Sequence, residues 1–109
     1  MKSLLLCLLL PTLATQNRDY TIGEVLRYAR QLTNDSVTVR LTGYVTRKLG
    51  GNTYLFEDRT AEIKIDIDTR YLPTKPFTDK DPVVIRALVQ YEMNKPVTLK
   101  ANRPISLEE

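Results

Sequence analysis

Val37-Thr-Val-Arg-Leu-Thr-Gly-Tyr-Val45, Thr53-Tyr-Leu-Phe-Glu-Asp58 and Ala61-Glu-Ile-Lys-Ile-Asp-Ile67 decide how this chain folds. Apolar and polar residues alternate with a period of two through the first and third stretches, the pattern of strands with one buried and one wet face. Leu49-Gly-Gly-Asn52 and Arg59-Thr60 are short links, so the three strands are expected to form an antiparallel meander. A meander needs a second layer over its apolar side, and the rest of the chain must supply it.

Upstream, Thr21-Ile-Gly-Glu24 has the form of a capping box and opens a helix. Ile22, Val25, Leu26, Ala29 and Leu32 recur at spacings of three and four, which predicts one apolar stripe, with Arg27 and Arg30 on the wet side and an end at Thr33-Asn-Asp-Ser36. Thr15 to Tyr20 is a polar lead-in. Downstream, Asp68 to Pro82 holds three prolines and reads as a loop. A fourth strand is expected over Val83 to Glu92, a turn at Met93-Asn-Lys95, and a fifth strand over Pro96 to Leu107 that Pro104 disturbs.

One helix and five strands give a mainly β fold. The favoured architecture is a five-stranded OB-type barrel with one N-terminal α-helix as a lid on the open end of the sheet, and an open five-stranded sheet covered by the helix is the alternative. Closure is favoured because the first strand is long enough to bend at Gly43 and pair on both sides, with strand two before the bend and strand four after it. A closed barrel also leaves no exposed edges.

The 109 residues suffice for one small domain. Met1-Lys-Ser3, the apolar run Leu4 to Leu10, Pro11 and Thr12-Leu-Ala14 have the layout of a secretory signal peptide, so residues 1–14 are expected to be removed and residues 15–109 to form the domain. The run is about half the length a membrane-spanning helix needs, so no stable membrane insertion is expected. The alternative is an apolar N-terminal helix that packs on the domain. The layout predicts export to the periplasm. The formal charge is +3, and loss of Lys2 with the leader leaves 15 basic against 13 acidic residues, a balance that advertises no polyanionic partner.

There is no histidine, and the single cysteine, Cys7, lies in the expected leader. A triad, a thiolate nucleophile and a zinc cluster are therefore excluded from the domain. Leu49-Gly-Gly-Asn52 lacks the lysine and the spacing of a phosphate loop. Asp66 with Asp68, and Asp79 with Asp81, stand outside any calcium-loop pattern and read as solvated strand or loop positions. The chain is expected to be no enzyme, to need no cofactor or metal, and to be a monomer.

Binding is the remaining class, and the outward face of the meander is where to look. With Val37, Val39, Leu41 and Val45 inward, Arg40, Thr42 and Tyr44 point out, as do Glu62, Lys64, Asp66 and Asp68 on the third strand. The second strand is ambiguous, and placing Tyr54 and Phe56 in the core leaves Leu55 and Glu57 outside. The candidate ligand-binding set is Arg40, Tyr44, Glu57, Glu62, Lys64, Asp66 and Asp68. OB proteins that hold single strands of nucleic acid use aromatic platforms and a basic groove on this face. Four carboxylates against two cations, with Tyr44 alone to stack on, disfavour that use, which stays as the alternative.

Ser36 to Val45, Leu49-Gly50, Tyr54-Leu-Phe-Glu-Asp58 and Ile63-Lys-Ile-Asp-Ile-Asp68 together resemble the bacterial OB-fold (BOF) family, in particular its YgiW/YdeI-type periplasmic stress-tolerance proteins. The resemblance runs from the helix through the fifth strand. It implies a signal peptide, a helix and an OB barrel, and a non-catalytic module that binds a small envelope ligand, cationic or sugar-like, or an envelope protein. The chain departs from the family pattern at Ala61 (glycine there), near Tyr71 (tryptophan there) and at Ala87-Leu-Val-Gln90, where the family's Gly-Glu-Val-Asp run carries two carboxylates.

Overall fold

In the computed structural model, which describes residues 17–107, the 13-residue β2 (Thr38–Gly50) pairs with three other strands. The others are β1 (Asn17–Asp19), β3 (Thr53–Glu57), β4 (Glu62–Asp66), β5 (Val83–Gln90), β6 (Thr98–Ala101) and β7 (Ser106–Leu107), and two short helices, α1 (Ile22–Arg27) and α2 (Ala29–Asn34), follow β1. The sheet order is β1-β2-β3-β4-β6-β5-β7, and β2 also pairs with β5. Strands β2, β3, β4, β6 and β5 therefore close into a five-stranded OB-type barrel with one parallel contact, β4 to β6. The expected signal peptide, residues 1–14, lies outside the described residues.

Closure happens at Gly43, with the two halves of β2 used in the opposite order to that expected. Thr38–Gly43 pairs with β5, and Tyr44–Gly50 pairs with β3. Hairpin pairing has to begin at the turn, and the turn follows Gly50, so the second half is the one that meets β3. A Cβ on Gly43 would run into the carbonyl oxygen of Glu57 and crowd the Phe56 ring. Only glycine allows the strands to approach this closely at the handover. The hairpin itself turns on Gly51, with φ of 52°, the positive value that primed hairpin turns need at their first central position.

The period-two reading of the strands holds. Val39, Leu41 and Val45 of β2, Tyr54 and Phe56 of β3, and Ile63 and Ile65 of β4 are all buried, which resolves the ambiguity of the second strand. They share one core with Ile85, Ala87 and Val89 of β5 and Leu99 of β6. Each of the larger aliphatic side chains contributes about 1.5–3 kcal/mol of burial.

Three expectations need correction. The helix is broken at Tyr28, whose backbone leaves the helical range at φ −108° and ψ 21°. Ile22, Val25, Ala29 and Leu32 enter the core, but Leu26 is 40% exposed, because it flanks the stripe that Val25 already fills. Asn17–Asp19, expected as a lead-in, is a strand parallel to Thr38–Arg40, held by backbone pairing that carries no apolar signal. The fifth strand splits: β6 and β7 both pair with β5, and the Asn102 to Ile105 stretch containing Pro104 stands between them.

The helix pair spans the barrel end at which β3 finishes, β4 begins and β5 finishes. At the start of α1, Thr21 and Glu24 form the capping box. The Glu24 N–H donates to the Thr21 hydroxyl at 3.1 Å, and the Thr21 N–H donates to Glu24 Oε1 at 2.9 Å. At the end of α2, the Thr33 hydroxyl donates to the Val89 carbonyl at 3.0 Å. At the other barrel end, the segment between β4 and β5 makes a single 3₁₀ turn (Thr69–Tyr71), and Tyr71, Leu72 and Phe77 pack on the core.

Candidate functional site

The seven candidate residues all face outward, but the barrel distributes them around its wall. Arg40 sits on the first half of β2, away from the meander. Its Nη1 lies 2.8 Å from Asp19 Oδ1, and its cross-strand partner is Arg86. Tyr44, Glu57 and Glu62 form one row across β2, β3 and β4. Lys64 lies in the next row, between Leu55 and Thr98. Asp66 follows, between Thr53 and Lys100, and accepts the Thr53 hydroxyl at 2.9 Å. Asp68 caps the 3₁₀ turn, accepting the Arg70 N–H at 3.1 Å, with Arg70 Nε at 3.9 Å from its other oxygen.

Among the described residues, five of the seven candidates line three depressions. Arg40 and Tyr44 line one of about 570 Å³, closed by Asp58, Thr60 and Pro82. Asp66 and Asp68 line a second of about 580 Å³, with Asn52, Tyr71, Lys100 and Asn102. Lys64 lines a third of about 620 Å³, between the end of α2 and the β5–β6 loop, with Gln90, Tyr91, Pro96 and Thr98. The second and third lie on the same outer wall, β4–β6–β5, and share Leu88. The grooves therefore sit beside the expected β2–β3–β4 face rather than at its centre.

The wall is also less acidic than the sequence pattern predicts. A bulge at Thr46 turns Arg47 outward opposite Leu55, and Lys100 stands beside Asp66. Outward positions continue on β5 and β6, where Leu88 is half-buried and Lys100 exposed, and the same period of two applied to those strands would have found them. Asn102 donates to the Thr38 hydroxyl at 3.1 Å, while its Oδ1 is buried without a partner among the described residues.

Asp58, in the first depression, is occupied by structure. Its carboxylate accepts the Ile22 N–H at 2.9 Å, the Thr60 N–H at 2.7 Å and hydroxyl at 2.6 Å, and the Ala61 N–H at 3.1 Å. Partial burial pushes its pKa up, but these hydrogen bonds outweigh that and hold it below its ordinary value. At the rim of the third depression, Glu92 bonds Lys95 at 2.9 Å and raises the pKa of that ammonium. Among the described residues no group of three or more histidine, cysteine or carboxylate side chains could hold a metal ion, and no helix is long and apolar enough to cross a membrane.

The chemistry on offer is recognition by hydrogen bonds and mixed charge. Comparison with curated protein sequences gives no match. Among solved structures, the chain is similar to the hypothetical protein ygiW from E. coli at 26% identity and a TM-score of 0.61, over 66% of this chain and 75% of that one. It also matches the OB domain of MM0293 from Methanosarcina mazei (20% identity, TM-score 0.47, 67% and 72% covered) and the tetrameric p202 HIN2 (16%, 0.50, 72% and 45%). The sequence profile of the bacterial OB fold (BOF) proteins matches residues 17–102. The barrel, its closure through both halves of β2 and this match together make the chain a member of the bacterial OB fold (BOF) family.

Proposed function

We propose that this chain is a non-catalytic binding module of the periplasm, exported by its N-terminal segment. It engages a small cationic or hydroxyl-rich envelope ligand, or an envelope protein, in tolerance of envelope stress. The observation that carries the reading is the groove at Asp66 and Asp68, in which two carboxylates, two cations, two asparagines and Tyr71 converge. Carboxylates set among many hydrogen-bonding groups beside one aromatic face suit a small cationic or hydroxyl-rich ligand. Nucleic acid fits poorly. A phosphate drawn to Arg47 or Lys64 would lie one row, about 7 Å, from Glu57 and Glu62.

The site is tested with Asp66→Asn/Asp68→Asn, which keeps an acceptor for the Thr53 hydroxyl and the Arg70 N–H. Titration with spermidine and with a chitooligosaccharide, followed by amide NMR, is expected to shift the groove residues in the native protein and not in the variant, at unchanged melting temperature. Equal shifts in both proteins would reject the assignment. The intact mass of protein recovered by osmotic shock tests export and processing together, and a retained N-terminal segment would count against the periplasmic reading.

A further inference from the structure

We propose that the Asp66 groove is one half of a longer trough that takes a short extended peptide, with a cationic group over Asp66 and a carboxylate over Lys64. The proposal rests on the binding-module reading above and adds to it the class of ligand. Two depressions, of about 580 and about 620 Å³, lie end to end on the β4–β6–β5 wall and share Leu88. One is closed at its far end by Tyr71 of the 3₁₀ turn, the other by Tyr91 and Pro96 of the β5–β6 loop. The long axis therefore runs along the strands.

Charge along that axis is specific. Around the trough, Asp68 faces Arg70 at 3.9 Å and Lys95 is bound to Glu92 at 2.9 Å. Asp66, Lys64 and Lys100, which lies across from Asp66 on β6, have no ion-pair partner among the described residues, so the wall presents one unpaired carboxylate between two unpaired ammonium groups. Asp66 and Lys64 are both exposed on one face of β4, two residues and so about 7 Å apart. An extended peptide repeats its own side chains with that same spacing, so residues i and i+2 reach both charges while the residue between them points to solvent. Leu88, in the same row beyond Lys100, supplies apolar floor where the two depressions meet. A compact ion fills neither depression and satisfies one charge only.

The test is an amide NMR titration of the mature chain with two capped peptides, acetyl-Lys-Ala-Glu-amide and acetyl-Lys-Ala-Lys-amide. The first is expected to shift Leu88, Thr98 and Lys100 together and to bind roughly threefold to tenfold more tightly than the second. Lys64→Glu, an exposed substitution, is expected to reverse that preference. If Lys64→Glu leaves the preference unchanged while Asp66→Asn still weakens both peptides, the trough is wrong and the groove stands. If neither substitution alters binding of any probe, both readings fall.

Discussion

The carboxylate of Asp58 accepts the backbone N–H of Ile22 at 2.9 Å across a sequence separation of 36, and so ties the first turn of α1 to the β3–β4 link. The Thr60 hydroxyl takes the next N–H, that of Gly23, at 2.8 Å. With the capping box on Glu24, the first three amides of the helix are all satisfied, two of them by a strand link rather than by the helix's own cap.

Asp58→Ala is expected to destabilise the fold by about 1–2 kcal/mol, since it strips a charged acceptor from a helix N-terminus and from the link. Chemical denaturation measures the loss, and a change within error would show that solvent replaces the carboxylate freely.

The same contact sets an acid dependence. Because folding lowers the Asp58 pKa, the unfolded chain binds more protons on the acid side, and the stabilisation is complete above the unfolded carboxylate's pKa of about 4. It is lost as pH falls through the lower folded value. The gap in melting temperature between the native protein and Asp58→Asn is therefore expected to be constant from pH 7 to about 5 and to shrink below about 4. A gap that widens with acid would reverse the sign and refute the assignment.

Gly43→Ala is expected to cost about 1–3 kcal/mol or more, because the added methyl meets the backbone of Glu57, which cannot swing aside as a side chain could. Melting temperature reads the cost. Gly50→Ala, where a Cβ meets open space but φ is 146°, provides a comparison in which only backbone strain acts.

Such positions mark where the sequence was legible and where it was not. The alternation from Val39 to Val45 and from Ile63 to Ile67 shows the buried face directly, because burial acts on side chains with a period of two, whereas Tyr54-Leu-Phe56 leaves it open. Gly43 shows the bend, but not which half of β2 meets which neighbour; that follows from the hairpin at Gly50–Gly51, a constraint of connectivity. Asn17–Asp19 is invisible to patterning, since its pairing is carried by the backbone. Arg47 was hidden by the bulge at Thr46, which breaks the period that Tyr44 would otherwise continue. Alternation shows outward positions strand by strand, whereas curvature of the barrel decides which outward rows share a groove. Arg40 and Asp66 consequently part company.

Ser36 closes α2 in a left-handed conformation with φ of 52°. The Val37 N–H returns to the Leu32 carbonyl at 3.1 Å and the Ser36 N–H to the Thr33 carbonyl at 3.1 Å, the pair of bonds that defines a Schellman end. Glycine takes this conformation without steric cost, so Ser36→Gly is expected to stabilise the fold by up to about 1 kcal/mol. A lower denaturation midpoint in the variant would mean that the serine hydroxyl makes a contact worth more than the strain.

Arg40 and Arg86 face each other across β2 and β5, and their carbonyls point apart: Arg40 accepts from Tyr20 at 3.0 Å and Arg86 from Asn102 at 3.1 Å. They are therefore a non-hydrogen-bonded pair, the closer of the two antiparallel arrangements, with like charges directly opposed. Asp19 relieves Arg40 on one side only. Arg86→Glu converts the repulsion into a cross-strand ion pair and is expected to stabilise the protein by roughly 0.2–1 kcal/mol at low ionic strength. Because Arg40 and Asp19 are both open to solvent, the gain should fade as salt rises toward 1 M, where screening reaches about 3 Å. Denaturation midpoints at low and high salt decide it, and a gain that survives 1 M salt would have to come from packing around Arg86 rather than from its charge.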